Sequence, residues 1–294
     1  VAHTPRPTPS PTTRADGPRL NGLAAALHEQ RFPIGSWVQV GDFEEARRVG
    51  DSTADFVIVD MEHLGFSFPE LEQTLQWLLS RRTAGRTPAA ATPIVRIPSE
   101  GAEFSSWMAK QVLDQGAFGL VVPHVTAPAH IRAAVRSMRY PAAAGSADTG
   151  GARSALPARA MRYWGLTDVG EYFTRADLWP AVPGGELALL ALAESRDAWD
   201  AVDDLLAVPG LGALLWGPGD GSVSLGLRDW DIDHPDLRPY RRKVVAAGHA
   251  AGVAVGAAGS ADPFSAVDEG FDFLALPAWD EDLARRLREH AAAR

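Results

Sequence analysis

Eight short apolar runs, each followed by an amphipathic stretch, constrain this chain more than any other feature. The runs fall at 34–40, 55–60, 93–97, 118–122, 187–193, 212–216, 253–255 and 271–276. They are close to continuously apolar rather than alternating, the pattern of strands buried on both faces in a parallel sheet. Helices are predicted after Asp42, a good N-cap, over 68–82, 103–115, 129–139, 196–207 and 235–251, after Ala261, and over 280–293. A further helix over 20–30 precedes the first strand. Regular βα alternation over about 250 residues favours a single α/β domain, a (β/α)8 TIM barrel spanning 19–294, over an open doubly wound sheet.

Composition narrows the function. The 294 residues carry 28 basic and 37 acidic side chains, a net charge of −9, with no Lys/Arg block. Nucleic-acid binding needs clustered positive charge, so it is not expected. There is no cysteine, which removes disulfides, thiolate metal sites and a cysteine nucleophile. No apolar run approaches the ~20 residues of a membrane span, so no membrane partner is expected. Residues 1–18 are rich in Pro and Thr and lack periodicity, and read as a disordered tail. That tail has no apolar signal region, and the protein reads as cytoplasmic.

One segment breaks the rhythm. Residues 141–186 hold no βα unit. The small, flexible stretch 144–154 reads as a mobile loop or a lid. Tyr163, Trp164, Tyr172, Phe173 and Trp179 follow, too many rings to leave wet, and point to a subunit interface.

In a TIM barrel the chemistry collects at the C-terminal ends of the strands. Those ends carry Asp60, Glu62 and His63, then Arg96, His124, Glu194 and the glycine-rich Gly217–Ser222 run with Asp220. Glu194 and Asp220 on adjacent strands suit a hard divalent ion such as Mg²⁺ or Mn²⁺, which can hold a 2-oxo acid and stabilise its enolate. Arg96 can hold the developing negative charge, and His63 is the natural proton acceptor. The glycines at 217–221, Gly217 and Gly219 among them, let backbone N–H groups approach a substrate carboxylate. Trp37 and Trp216, on the first and sixth strands, are expected at the pocket rim.

Each residue has a plainer reading. Asp220 could be a turn residue, Glu194 a helix first-turn acid, and Arg96 half of a buried ion pair. His124 reads as a structural histidine, and Glu62 equally as an exposed salt bridge between subunits.

In order along the chain stand VDMEH (59–63), VRIP (95–98), KQVLDQGAFGLVVPHV (110–125), RYP (139–141), ALAES (191–195), GPGDGSVSLG (217–226) and HPDL (234–237). On these motifs, over residues 20–294, the sequence resembles the HpcH/HpaI aldolase/citrate lyase family, the metal-dependent class II pyruvate aldolases. The resemblance implies Glu194 and Asp220 as metal ligands for Mg²⁺, Mn²⁺ or Co²⁺, and His63 as the base. It implies Arg96 as the pyruvate-binding arginine and Asp60 as support for a metal-bound water. Asp114, on a predicted helix, falls on a carboxylate that pairs with the base, reached from a packed neighbour or another subunit. A homo-oligomer, a trimer or a hexamer, is also implied.

The sequence departs from the family in places. Leu192 stands at a substrate-lining position where the family often has Gln, and Gly221 replaces a Leu after the metal Asp. Arg153 is the one basic group left in an altered glycine-rich loop, and Ala257 and Ala258 end a strand without polar groups.

The expected activity is reversible retro-aldol cleavage of a 4-hydroxy-2-oxo acid to pyruvate and an aldehyde through a metal-bound enolate. Oxaloacetate decarboxylation, or a citrate- or malyl-type synthase on the same site, is an alternative. A non-catalytic binding protein on an aldolase scaffold is another.

Overall fold

A computed structural model describes residues 18–63, 65–79, 91–98, 103, 106–146, 148, 150–228 and 230–294. The disordered-tail expectation for 1–18, apart from residue 18 itself, and the end of the 68–82 helix lie outside them.

Eight parallel strands close into a barrel in chain order. They are β1 (Ile34–Gln39), β2 (Phe56–Asp60), β3 (Thr92–Arg96), β4 (Gly119–Val122), β6 (Leu187–Ala193), β7 (Ala213–Trp216), β8 (Ala254–Ala257) and β9 (Phe273–Leu276). β4 pairs with β6 and β9 returns to β1, which closes the ring. A ninth strand, β5 (Leu178–Trp179), pairs with the first two residues of β6, ahead of the stretch that pairs with β7. The TIM barrel expectation therefore holds, and closure excludes the open sheet.

Alternate residues along each strand face two different cores. Phe56, Ile58, Ile94, Val121, Leu190, Leu192, Leu215 and Phe273 fill the barrel interior. Val57, Val59, Val95, Leu120, Leu189, Leu214 and Trp216 pack outward against the helices. Two glycines make room inside. A Cβ on Gly35 would lie 2.5 Å from the Phe56 ring, and one on Gly256 would lie 2.2 Å from the Phe273 ring. Those two rings meet edge to face at 5.7 Å and form a floor for whatever sits above.

The first helix, Gly22–His28, is buried along its length and seals the N-terminal end of the barrel. Its cap, Asn21, donates to the carbonyl of Glu186, and the Asn21 N–H donates to the Glu186 carboxylate. Gly22 donates to the hydroxyl of Thr92.

Several boundaries differ from the sequence reading. The strand expected at 253–255 runs Ala254–Ala257. The helix expected over 196–207 breaks at Ala201 into Arg196–Asp200 and Val202–Leu206. The glycine-rich run after β7 is not a simple turn but the helix Pro218–Ser224, with proline in its first turn, where its missing N–H costs nothing.

The 141–186 insertion folds as the helices Ala158–Trp164 and Val169–Arg175 followed by β5. Its aromatic rings do not need a partner to stay dry. Trp164 stacks on Phe118 at 4.4 Å and donates its indole N–H to the carbonyl of Gly116. Tyr172 and Trp179 are buried within the chain, and Tyr163 packs on Gly116; Phe173 is the most exposed of the five. Part of the 144–154 stretch is anchored away from the site. Residues 151–153 hydrogen-bond to the C-terminal end of the helix Pro128–Met138, which is the end of the barrel where strands begin. No helix among the described residues is long and apolar enough to cross a membrane.

The interior floor gives a direct test. Gly256→Ala should cost about 1–3 kcal/mol by overpacking, read by urea unfolding. Adding Phe273→Leu should cost less than the sum of the two single changes. Strict additivity would show that the ring and the missing Cβ are not coupled.

Candidate active site

The parallel register between β2 and β3 sets Asp60 directly beside Arg96. Both face the barrel axis at its C-terminal end. Arg96 donates from Nε and Nη2 to the two Asp60 oxygens at 2.9 and 2.7 Å, a bidentate pair. Its Nη1 lies 2.9 Å from Glu62 Oε2, and the guanidinium lies 4.6 Å above the Trp37 ring. Trp37 is fixed in turn by its indole N–H, which donates to the Ala258 carbonyl at 2.7 Å. Burial pulls the Arg96 pKa down, but the Asp60 hydrogen bonds and the Asp60 and Glu62 charges outweigh it and hold the cation firmly charged.

Glu62 is the hub that the sequence reading undervalued. It is not an exposed salt bridge. Its carboxylate is largely buried and faces Arg96, His63 Nε2 at 3.4 Å and His124 Nε2 at 3.9 Å. Its backbone N–H donates to Asp60 Oδ1, which folds the chain after β2 back over the strand end. Burial raises the Glu62 pKa against the pull of Arg96 and the two imidazoles. His63 is about half exposed, at the mouth of the site. The carboxylate in reach of its ring is Glu62, whereas Asp60, expected to support a metal-bound water, is taken up by Arg96.

Glu194, two residues beyond the inward-facing Leu192, is 4% exposed. Its Oε1 accepts the backbone N–H of His124 at 2.7 Å. A Cβ on Gly217 would lie 2.7 Å from the Glu194 Cβ, so only glycine fits beside it. Burial pushes the Glu194 carboxyl up to about 8, and the neighbouring Glu62 and Asp220 charges push the same way. Asp220 sits in the first turn of the helix Pro218–Ser224. Donor atoms of His124, Glu194 and Asp220 lie within 4.8 Å of one another. Glu194 and Asp220 are thus brought together as expected, and His124 joins them rather than acting as a remote structural residue. Its signal in the sequence was its place directly after β4, beside Pro123. The ring of Trp230, 60% exposed, covers Gly219 so closely that a Cβ there would lie 2.9 Å from it.

Two expected site residues lie elsewhere. Trp216 points away from the pocket and stacks on Trp199 at 4.7 Å, because Leu215 takes the inward position on β7. Asp114 ends the helix that precedes β4, at the opposite end of the barrel from His63. There it accepts from Arg153 Nη2 at 2.7 Å. The Arg153 side chain is fully buried, with its guanidinium over the Tyr140 ring and a bond to the Tyr172 hydroxyl.

With this geometry in view, the comparisons with known proteins become specific. The sequence model of HpcH/HpaI aldolase/citrate lyase matches residues 34–277. The chain belongs to the HpcH/HpaI aldolase/citrate lyase family. A hydroxypyruvate/pyruvate aldolase from Paraburkholderia phytofirmans is 30% identical over 260 residues, covering 88% of this chain and 91% of that protein. A 2-keto-3-deoxy-L-rhamnonate aldolase from Klebsiella pneumoniae is 34% identical over 236 residues, covering 79% of this chain and 78% of that protein. The crystal structure of a HpcH/HpaI aldolase/citrate lyase family protein from Burkholderia cenocepacia superposes with a TM-score of 0.70 at 27% identity. That alignment covers 93% of this chain and 98% of the other.

A pH prediction follows from Glu194. Its folded pKa is raised, so without a cation the stability present below the ordinary Glu value is lost as pH climbs toward about 8. Glu194→Gln should therefore leave the melting temperature of EDTA-treated protein little changed near pH 4.5 and raise it at pH 8. A variant that is equally or less stable at pH 8 would show that the carboxylate is not under this strain.

Proposed function

We propose that the chain is a divalent-cation-dependent aldolase that cleaves a 4-hydroxy-2-oxo acid reversibly into pyruvate and an aldehyde. The observation that carries this reading is the convergence at one barrel end of a clamped arginine, a half-exposed histidine and a His/Glu/Asp donor group. The family, and relatives named as pyruvate and 2-keto acid aldolases, support it.

The donor set fits a divalent cation. Glu194 is a buried carboxylate crowded by Glu62 and Asp220, and it is held ionised at neutral pH only at a cost that a cation would remove. Glu194 and Asp220 would hold the ion, with Mg²⁺, Mn²⁺ and Co²⁺ as candidates. When bound, it supplies Lewis-acid polarisation of the 2-oxo acid's carboxylate and ketone oxygens.

The chain's own residues do the rest. Arg96 has five N–H groups; two are donated to Asp60, and Nη1 lies against Glu62 as an ion pair. The N–H groups not given to Asp60 serve the ketone oxygen, whose negative charge grows as the carbon–carbon bond breaks. Asp60 and Trp37 position this guanidinium without touching substrate, so little reorganisation is needed when charge develops. His63 takes the proton from the 4-hydroxyl during cleavage and returns it during aldol addition. Glu62, 3.4 Å from His63 Nε2, orients the His63 ring. The free N–H groups in the first turn of the helix Pro218–Ser224, those of Gly219 and Asp220, meet the substrate carboxylate. Leu192 and Ala258 give the cavity an apolar wall that keeps water from the nascent carbanion.

Solvent deuterium exchange into the methyl group of pyruvate, followed by proton NMR, tests the reading without knowledge of the aldehyde. Exchange should appear with Mg²⁺, Mn²⁺ or Co²⁺ and vanish with EDTA. Arg96→Ala should abolish it, and His63→Asn should slow aldol cleavage by about 10²–10⁴-fold. Absence of exchange with every cation, together with CO₂ release from oxaloacetate, would replace the aldolase by a decarboxylase on the same residues.

A further inference from the structure

The region around His124 holds more than a pair of carboxylates needs. His124 adopts a left-handed backbone conformation, φ 51°, which a residue with a Cβ takes up only when its surroundings enforce it. Its backbone N–H donates to Glu194 Oε1 at 2.7 Å, and its ring Nδ1 lies 3.7 Å from the same oxygen. Backbone and side chain thus converge on one carboxylate. The other ring nitrogen, Nε2, faces Glu62 Oε1 at 3.9 Å. A metal-ligating histidine offers one nitrogen to the ion and turns the other toward a carboxylate, and here Nε2 faces Glu62 at 3.9 Å, beyond direct hydrogen bonding. A ring nitrogen of His124 belongs to the same donor group as the Glu194 and Asp220 oxygens, and Nδ1 is the one 3.7 Å from Glu194 Oε1.

We infer that His124 is a third protein ligand, through Nδ1, to the divalent cation held by Glu194 and Asp220, and that it biases the site toward borderline ions. The inference rests on the aldolase reading above for the presence of that cation. Two carboxylates alone form a hard oxygen set that accepts Mg²⁺ readily. An imidazole nitrogen favours Co²⁺, Ni²⁺ and Zn²⁺ over Mg²⁺, following both ligand softness and the general affinity order of the divalent ions. Glu62 then has two duties, since it faces the ligand ring on one side and the proton-carrying His63 ring on the other. Selection of the metal and placement of the base would share one buried carboxylate.

Electron spin-echo envelope modulation on the full chain, stripped with EDTA and loaded with Mn²⁺, tests this without any substrate. Coupling to a ¹⁴N nucleus is expected in the unaltered protein and in His63→Asn, and it should be lost in His124→Asn. Asparagine tolerates the left-handed backbone and keeps the N–H to Glu194, so this variant should fold. Its unfolding transition checks that it does. In titrations of the stripped protein, His124→Asn should weaken Co²⁺ binding by about tenfold or more and Mg²⁺ binding far less. Bound Mn²⁺ without nitrogen coupling would overturn the inference and leave the aldolase reading standing. Equal weakening for Co²⁺ and Mg²⁺ would do the same, because it would mean that His124 acts only by holding Glu194. If no divalent ion bound at all, both would fall.

Discussion

The site is organised by an imbalance of charge. Asp60, Glu62, Glu194 and Asp220 crowd the C-terminal end of one barrel around a single guanidinium, Arg96. That guanidinium can neutralise one carboxylate fully and share itself with a second. The remaining negative charge falls on Glu194, the most buried of the four, where removal from water is most costly. Everything nearby can be read as a response to that cost. His124 gives Glu194 a backbone hydrogen bond, and both imidazoles sit against Glu62. The donors left over, His124, Glu194 and Asp220, face one another, as they would around a divalent cation.

Positions this close depend on the barrel below. Inward-facing residues repeat every second position, so the strand that ends in Glu194 places Leu192 and Leu190 beneath it, and Gly217 follows Leu215 on the next strand. Absent Cβ atoms at Gly35, Gly256 and Gly217 let large rings and a carboxylate occupy a space that a fully substituted barrel would deny them. The tether from Trp37 to Ala258 spans the mouth and keeps the ring under Arg96. The support beneath the site is packed as closely as an interior.

The strands were legible because a doubly buried parallel strand must be apolar throughout, and the carboxylates because they interrupt that pattern where strands end. Glu194 and Asp220 could thus be paired before any geometry was known. Trp216 was misplaced because it was judged by its nearness to a strand end. Counting alternate positions back from Gly217 would have put it on the outer face. Asp114 and residues 151–153 lie at the far end of their own barrel for a related reason. Helices in this fold run opposite to the strands, so a helix C-terminus and the loop after it fall at the far end of the barrel. Glu62 and His124 were undervalued because their roles arise from contacts between different βα units, and these become visible only once the ring is closed.

The seal at the other end of the barrel carries a consequence for how the chain assembles. The first helix is held by Asn21 against Glu186, 165 residues further on, and Glu186 is also paired with Arg175 from the insertion. During synthesis the Asn21–Glu186 part of this anchorage is therefore completed only after the insertion and the start of β6 have been made, whereas the contacts with Thr92, Phe56 and Ile94 are available earlier. Local βα units can form as they emerge, but the last step is a long-range closure that joins the oldest part of the chain to one of its later parts. Dependence on that late contact makes the insertion, which lies away from the chemistry, a gatekeeper of the folded state on which the chemistry rests.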